Sequence, residues 1–226
     1  MRIDIISAVP DSLHSILNTS IIKRAQDKEL VKVVVHNLRD YTQNKHKQID
    51  DKPFGGGPGM LLKPEPFFEC IKQLQKKRHY DHIVFTTPRG KKFTQSIANK
   101  FSLAENVIII AGHYKGIDER VCEKFATDEI SIGNFVLSGG ELLALVITDS
   151  IVRLLPGVIG DSEYMLHDSF MNGEVIEAPY YTRPADYDGM KVPDVLISGN
   201  DKEISNWKEK QSKSLTEKWK KINSLE

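Results

Sequence analysis

Between Glu129 and Gly160 the chain reads EISIGNFVLSGGELLALVITDSIVRLLPGVIG, and no other stretch constrains the fold as much. A short apolar run (Ile130, Ile132) leads through Gly133 to the pair Gly139-Gly140, after which Leu142 to Leu155 is almost uniformly apolar. A helix that is apolar all round is normally a buried one, so this segment is expected to need cover on every side. Pro156-Gly157 should stop it, because proline cannot continue a helix and glycine suits the turn that follows. Three charges interrupt the apolar text. Glu141 falls in the first turn, where a negative charge suits the helix macrodipole, and Asp149 and Arg153, four residues apart, share a face. Burying such a pair is weak evidence for stability, since desolvation opposes the attraction gained. Arg153 is therefore a candidate for chemistry, with a self-satisfied helical pair as the plainer reading.

Upstream, strands and helices alternate. Ile3 to Val9 reads as a strand, followed by a helix start at Pro10-Asp11-Ser12 with aspartate or serine as its cap. A second helix begins near Ser20, and Leu30 to His36 is a strand with Val31, Val33 and Val35 on one face. Asn37 to Gly59 has the composition of a long loop, a kind that more often carries function than not. Pro64 opens a helix with Phe67, Ile71 and Leu74 on its apolar stripe, His82 to Thr86 is a strand, and Pro88-Arg89-Gly90 is a turn toward a helix near Ser96. Asn106 to Ala111 (NVIIIA) is a short, wholly apolar strand of the buried parallel kind. The pattern predicts an α/β fold with an open, mostly parallel sheet and helices on both faces. After Gly160 the texture becomes polar and aperiodic, as in a linker over 161–173. Beyond it lie extended segments and a final helix, capped by Asn200 and Glu203, whose stripe of Ile204, Trp207, Leu215, Trp219 and Ile222 reads as core.

Formal charge sums to zero, but it is unevenly spread. From Lys72 to Lys92 seven basic residues face the single Asp81, whereas from Ala111 to Asp188 fourteen acidic residues outnumber five basic ones. A nucleic acid could use the basic region, although such runs are usually solvated surface. The first residues lack the apolar run of a signal peptide and no stretch reads as a transmembrane span. Two cysteines without a CxxC spacing fit a reducing cytoplasm.

Three strand ends finish in glycine or proline turns: Thr86-Thr87-Pro88, Ala111 to Gly116, and Ile132-Gly133 running on to Gly139-Gly140. In open α/β sheets ligands bind outside the carboxyl ends of strands, and glycines there admit a ligand close to the backbone. Tight turns needing positive φ are the competing explanation. Gly55-Gly56-Gly57-Pro58-Gly59 is followed by Met60 and matches neither a P-loop nor a dinucleotide fingerprint. His79 and His82 lack a third ligand for zinc, and no GxSxG nucleophile motif is present.

DDKPFGGGPGM (Asp50 to Met60), TTPRG, AGHYKGIDERV (Ala111 to Val121), EISIGNFVLSGGEL with SIVRLLPGVIG, DSF (Asp168 to Phe170), APYYTRP and VPDVLISGN together resemble the bacterial tRNA (guanine-N1)-methyltransferase family of the knotted SPOUT superfamily. Several long motifs in the family's order cover nearly the whole chain. The resemblance implies a homodimer, a deep trefoil knot in a catalytic domain spanning 1–160, a flexible linker over 161–173, and a small, mainly helical tRNA-binding domain over 174–226. It implies S-adenosylmethionine bound bent in the knot, against Thr86, Thr87, Pro88, Gly112, Tyr114, Gly116, Ile132, Gly133, Phe135, Leu137, Gly139 and Gly140. The implied substrate is tRNA, methylated at N1 of the guanosine immediately 3′ of the anticodon. Asp168 matches the general base, Arg153 the cation that stabilises charge on the guanine O6, and Asp50 a position that contacts the RNA.

The chain departs from the family where Cys-Gly-Arg-Tyr-Glu-Gly is usual: His113 replaces the arginine and Lys115 a glutamate associated with magnesium. A resident metal is accordingly not expected, although a magnesium requirement is left open. Phe135 replaces a tyrosine, and the chain stops soon after its second tryptophan, so a reduced tRNA-binding domain is expected. Two other classes compete. A catalytically inactive RNA-binding protein of the same fold could discard Asp168 and Arg153, which are both present; a nucleotide-phosphate hydrolase would need a phosphate loop and metal ligands.

Overall fold

The computed structural model describes residues 1–160 and 168–223. Strands and helices alternate as β1 (Arg2–Ser7), α1 (Asp11–Leu17), α2 (Ser20–Asp27), β2 (Lys32–Asn37), β3 (Asp50–Asp51), β4 (Leu61–Leu62), α3 (Pro64–Gln75), β5 (His82–Lys92), α4 (Gln95–Ser102), β6 (Asn106–Ile110), α5 (Glu119–Phe125), β7 (Asp128–Ser131) and α6 (Glu141–Val152). The period-two geometry of a strand sends successive side chains to opposite faces. In β1, Ile3 and Ile5 join one core cluster and Ile6 the other; in β6, Val107 and Ile109 join the first and Ile108 and Ile110 the second. Two apolar faces need two helical layers. The first cluster is closed by Leu13 and Leu17 of α1, Ile22 of α2, Phe101 of α4 and most of α6; the second by Phe67 and Ile71 of α3 and Val121 of α5. The sheet order is β2-β1-β6-β5-β7 and every neighbouring pair is parallel, which is the expected open α/β arrangement.

One charge lies inside the sheet. Asp4 is fully buried on β1, where its carboxylate accepts hydrogen bonds from Arg2 and the Tyr80 hydroxyl and meets His36 Nε2 at 2.7 Å. Burial alone would push its pKa up, but the bonds from His36, Arg2 and Tyr80 outweigh it and hold the group at about 2.

Four local expectations are corrected. The turn at Pro88-Arg89-Gly90 is an irregularity inside a longer strand, with the β5–β7 ladder shifting between Thr86 and Lys91. Gly90 permits it, because a Cβ there would sit 2.4 Å from the Ile130 nitrogen. At α1 the cap position is Pro10, with no side-chain cap bond. The stretch from Asn37 to Gly59 contains the two-residue strand β3, paired antiparallel with β4. Finally, α6 is not covered all round: Leu142 (56% accessible), Val146 (43%) and Asp149 form an exposed stripe, and the helix ends at Val152 rather than Leu155.

Met1–Gly160 forms one compact unit and Asp161–Glu226 a second. The second contains the short hairpin β8 (Asp186–Tyr187) and β9 (Met190–Lys191) and the long helix α7 (Asp201–Asn223). Asn200 caps α7 by accepting from the Glu203 N–H at 3.3 Å. Its apolar stripe is only half-buried, not core: Trp219 meets the edge of Phe170 at 5.3 Å, Trp207 faces Tyr181, and Ile222 is exposed.

Candidate functional site

The irregularity midway along β5 and the carboxyl ends of β6 and β7 converge on one cleft. Within β5, just before its irregularity, the Thr86 hydroxyl donates to the Ile110 carbonyl at 2.9 Å, tying the strand to the end of β6. The Gly140 N–H donates to the Gly112 carbonyl at 2.6 Å, and His113 and Gly139 form an antiparallel bridge, so the loop after β6 is stitched to the entry of α6. A Cβ on Gly140 would lie 2.3 Å from Thr86 Oγ1 and 2.8 Å from the Gly112 nitrogen. Only glycine allows these three chain segments to meet.

The walls are Thr86, Thr87 and Pro88 from β5; Gly112, Tyr114 and Gly116 from the second loop; and Ile132, Gly133, Phe135, Leu137, Gly139 and Gly140 from the third. All twelve residues singled out from the sequence as cofactor contacts thus border a single cleft. Its volume is about 240 Å³, smaller than the roughly 570 Å³ hollow beside Met1, Leu30 and Leu155. That larger hollow lies at the amino ends of β1 and β6, the side of an open sheet where ligands are not expected.

Three neighbours make contacts that sequence reasoning did not anticipate. Glu141 does more than complement a dipole: it is buried, its Oε1 accepts from the Ser7 hydroxyl at 2.7 Å, and its Oε2 lies 3.5 Å from His113 Nδ1. His113 Nδ1 is itself buried without a hydrogen-bond partner among the described residues. A carboxylate at the N-terminus of α6 opposes an incoming phosphate, which would otherwise find that terminus attractive. Lys115 belongs to the wall as well, with its ammonium donating to the Pro58 carbonyl at 3.3 Å. The departure from the family motif marked Lys115 and His113 as unusual, but nothing in one sequence revealed their contacts.

None of the remaining candidates is among these walls. Asp50 is half-buried in β3. Arg153 is the half-buried C-terminal cap of α6, thirteen residues from Gly140, so at 1.5 Å per residue it stands about 20 Å along the helix from the cleft. Asp168 belongs to the second unit, where it borders a hollow with Asn172, Tyr180, Lys208 and Ser212. Asp161 to His167, most of the expected linker, lie outside the described residues. Among the described residues no group of three or more His, Cys, Asp or Glu side chains is placed to hold a metal, and no helix is long and apolar enough to cross a membrane.

Glycine-walled backbone and apolar side chains from Ile132, Leu137 and Leu143 suit a planar heterocycle read by its edge and covered on its face. The Glu141 carboxylate at the entry of α6 opposes a polyphosphate there.

Comparison with known proteins identifies the family. Residues 1–223 match the family model described as tRNA (Guanine-1)-methyltransferase TrmD. A tRNA (guanine-N(1)-)-methyltransferase of Bacteroides thetaiotaomicron is 52% identical over 218 residues, covering 96% of each chain. Proteins of the same name from Cytophaga hutchinsonii (54% identical, covering 92% of this chain and 88% of theirs) and Flavobacterium johnsoniae (53%, covering 92% of each) are similar to it to the same degree. With its whole described length accounted for, the chain belongs to the tRNA (guanine-1)-methyltransferase TrmD family and is a methyltransferase enzyme.

Proposed function

We propose that the protein transfers a methyl group to N1 of the guanosine immediately 3′ of the tRNA anticodon, using S-adenosylmethionine held in the cleft between the β5 irregularity and the ends of β6 and β7. The observation that carries this reading is the convergence of twelve candidate residues on one glycine-walled cleft that suits adenine and disfavours phosphate. S-adenosylmethionine supplies an electrophilic methyl group. The chain's own task is then to bind and splay out the guanine, remove its N1 proton and stabilise the charge left behind. Asp168 is the proposed base and Arg153 the cation at O6, with Asp50 contacting the RNA. A guanine in a stacked anticodon loop reaches such a site only when splayed out. The Lys115 ammonium on the cleft wall stands where a metal-binding carboxylate would have to be and repels a divalent metal, so no resident metal enters the proposal. Incubating the protein with methyl-labelled S-adenosylmethionine and unmodified tRNA, then mapping the label, tests the reading. Label at N1 of that guanosine is expected, whereas label elsewhere in the RNA, or none, overturns it.

A homodimer and a trefoil knot belong to the same proposal. The Gly112–Gly140 bond and the His113–Gly139 bridge, which lace the loop after β6 to the entry of α6, support a knotted path. Support for the dimer comes from α6. Leu142, Val146 and Asp149 make an exposed stripe with Arg153 at its far end. Two copies of α6 packed antiparallel about a two-fold axis would bury that stripe against itself and carry each Arg153 toward the partner's cleft. One chain alone keeps them about 20 Å apart. The RNA-contacting half of one copy would face the cleft of the other, and the place of work is the cytoplasm. Val146→Lys puts a charge in the centre of that contact and is expected to give an inactive monomer by analytical ultracentrifugation. An active V146K monomer, or an active wild-type monomer at assay concentration, contradicts the arrangement.

A further inference from the structure

Asp50 and the cleft are joined by a short run of backbone pairing. Asp50 stands opposite Leu62 in the β3–β4 pair. Leu62 in turn runs parallel to Ile117, with the Leu62 N–H donating to the Gly116 carbonyl at 2.9 Å and the Asp118 N–H to the Leu62 carbonyl at 3.0 Å. One step earlier the Lys115 N–H donates to the Met60 carbonyl at 3.0 Å. Leu62 is fully buried and Ile117 nearly so, which makes this crossing rigid. Lys115 and Gly116, at its other end, are cleft walls.

The segment between β3 and β4 is of a different character. Gly55, Gly56, Gly57 and Gly59 all have φ between +79° and +103°, and Phe54 at their head is completely exposed. Such backbone loses more conformational entropy on ordering than any other. The side chain that lies along it is Lys115. Its Nζ donates to the Pro58 carbonyl and stands 3.4 Å from where a Cβ of Gly57 would be, while its Cδ stands 3.8 Å from where a Cβ of Gly59 would be.

We infer that Lys115 is a positioning residue that couples the cleft to the RNA-contacting loop: a ligand that orders the 112–116 wall also orders the glycine loop and Asp50, so cleft and RNA sites bind cooperatively. This rests on the function proposed above. An ordering cost met by the first ligand need not be met by the second, and the resulting coupling is reciprocal. Methionine keeps the stem of Lys115 but removes the bond to Pro58, and arginine keeps a donor.

The test is the affinity of unmodified tRNA with and without S-adenosylhomocysteine, at a concentration saturating for each variant so that changes in its own affinity do not enter. Wild type is expected to bind tRNA about fivefold more tightly with the cleft filled, a typical coupling. K115M should show a ratio near one, and K115R should restore it. If Lys115 instead only attracts phosphates, K115M weakens tRNA equally in both conditions and keeps the ratio, which overturns the inference. A wild-type ratio of one with both ligands bound overturns it too, while leaving the methyltransferase reading in place. Failure of wild type to bind S-adenosylhomocysteine at all overturns both.

Discussion

Asp168→Asn is expected to lower single-turnover methyl transfer by at least about 100-fold, the scale of general-base catalysis, while S-adenosylhomocysteine affinity stays at its wild-type value. Guanine N1 carries a proton in the neutral base, and its lone pair becomes available to a methyl group only as that proton leaves. A carboxylate can accept it; an amide of the same shape cannot. The affinity should not move because Asp168 is not among the proposed cofactor contacts. Asp168 is half-exposed at the rim of a hollow, and the bond from the Met171 N–H runs to its backbone carbonyl, which asparagine retains. The measurement is single-turnover methylation of unmodified tRNA alongside calorimetric titration with S-adenosylhomocysteine. Turnover within a few-fold of wild type would take the proton-accepting role away from Asp168. Loss of activity together with loss of affinity would assign it a structural role.

The scaffold was legible because it depends on local rules. Ile3 to Val9 was readable as a strand, and the unbroken apolar run at Asn106 to Ala111 implies one covered on both faces; the sheet is built that way. Glycine and proline at strand ends pointed to the cleft walls for a reason equally local. The errors have a common physical source in contacts across the chain. Glu141 looked like a dipole complement, because nothing near it in sequence reveals Ser7, 134 positions away. The uniform apolarity of α6 implied cover on every side, yet apolar text cannot say whether cover comes from the same chain, and Leu142 and Val146 are exposed within it. Lys115 drew attention only by differing from a motif; its bond to Pro58 spans 57 positions. What positions a ligand wall in an α/β fold is pairing between loops from distant strands, and one-dimensional periodicity carries no record of it.

Gly140→Ala should be a severely damaging single-methyl change at the cleft. Backbone conformation is not the cause: Gly140 has φ −83° and ψ 0°, a region open to alanine, unlike Gly116 and Gly133 with φ of +139° and +146°. The obstacle is space. The added methyl would lie 2.3 Å from Thr86 Oγ1, 2.8 Å from the Gly112 nitrogen and 3.0 Å from the Ala111 Cα. The hydroxyl could turn aside, but the other two atoms are backbone, held by the 2.6 Å bond from the Gly140 N–H to the Gly112 carbonyl and by pairing of Ala111 to β1. Relief therefore requires the loop after β6 to move away from the entry of α6, which opens the cleft floor. Overpacking of this kind costs about 1–3 kcal/mol, or roughly 2–12 °C in melting temperature for a domain of this size. Affinity for S-adenosylhomocysteine should fall at least about tenfold, since about 1.4 kcal/mol of displaced contacts suffices for that. Two further variants locate the cause. Thr86→Ala combined with Gly140→Ala should recover little, because the backbone contacts persist. Gly160→Ala, where a Cβ meets nothing within 4 Å, should be close to neutral. Wild-type affinity and melting temperature in G140A would show that the two loops do not approach as closely as drawn, and full recovery in the double variant would place the entire effect on the Thr86 hydroxyl.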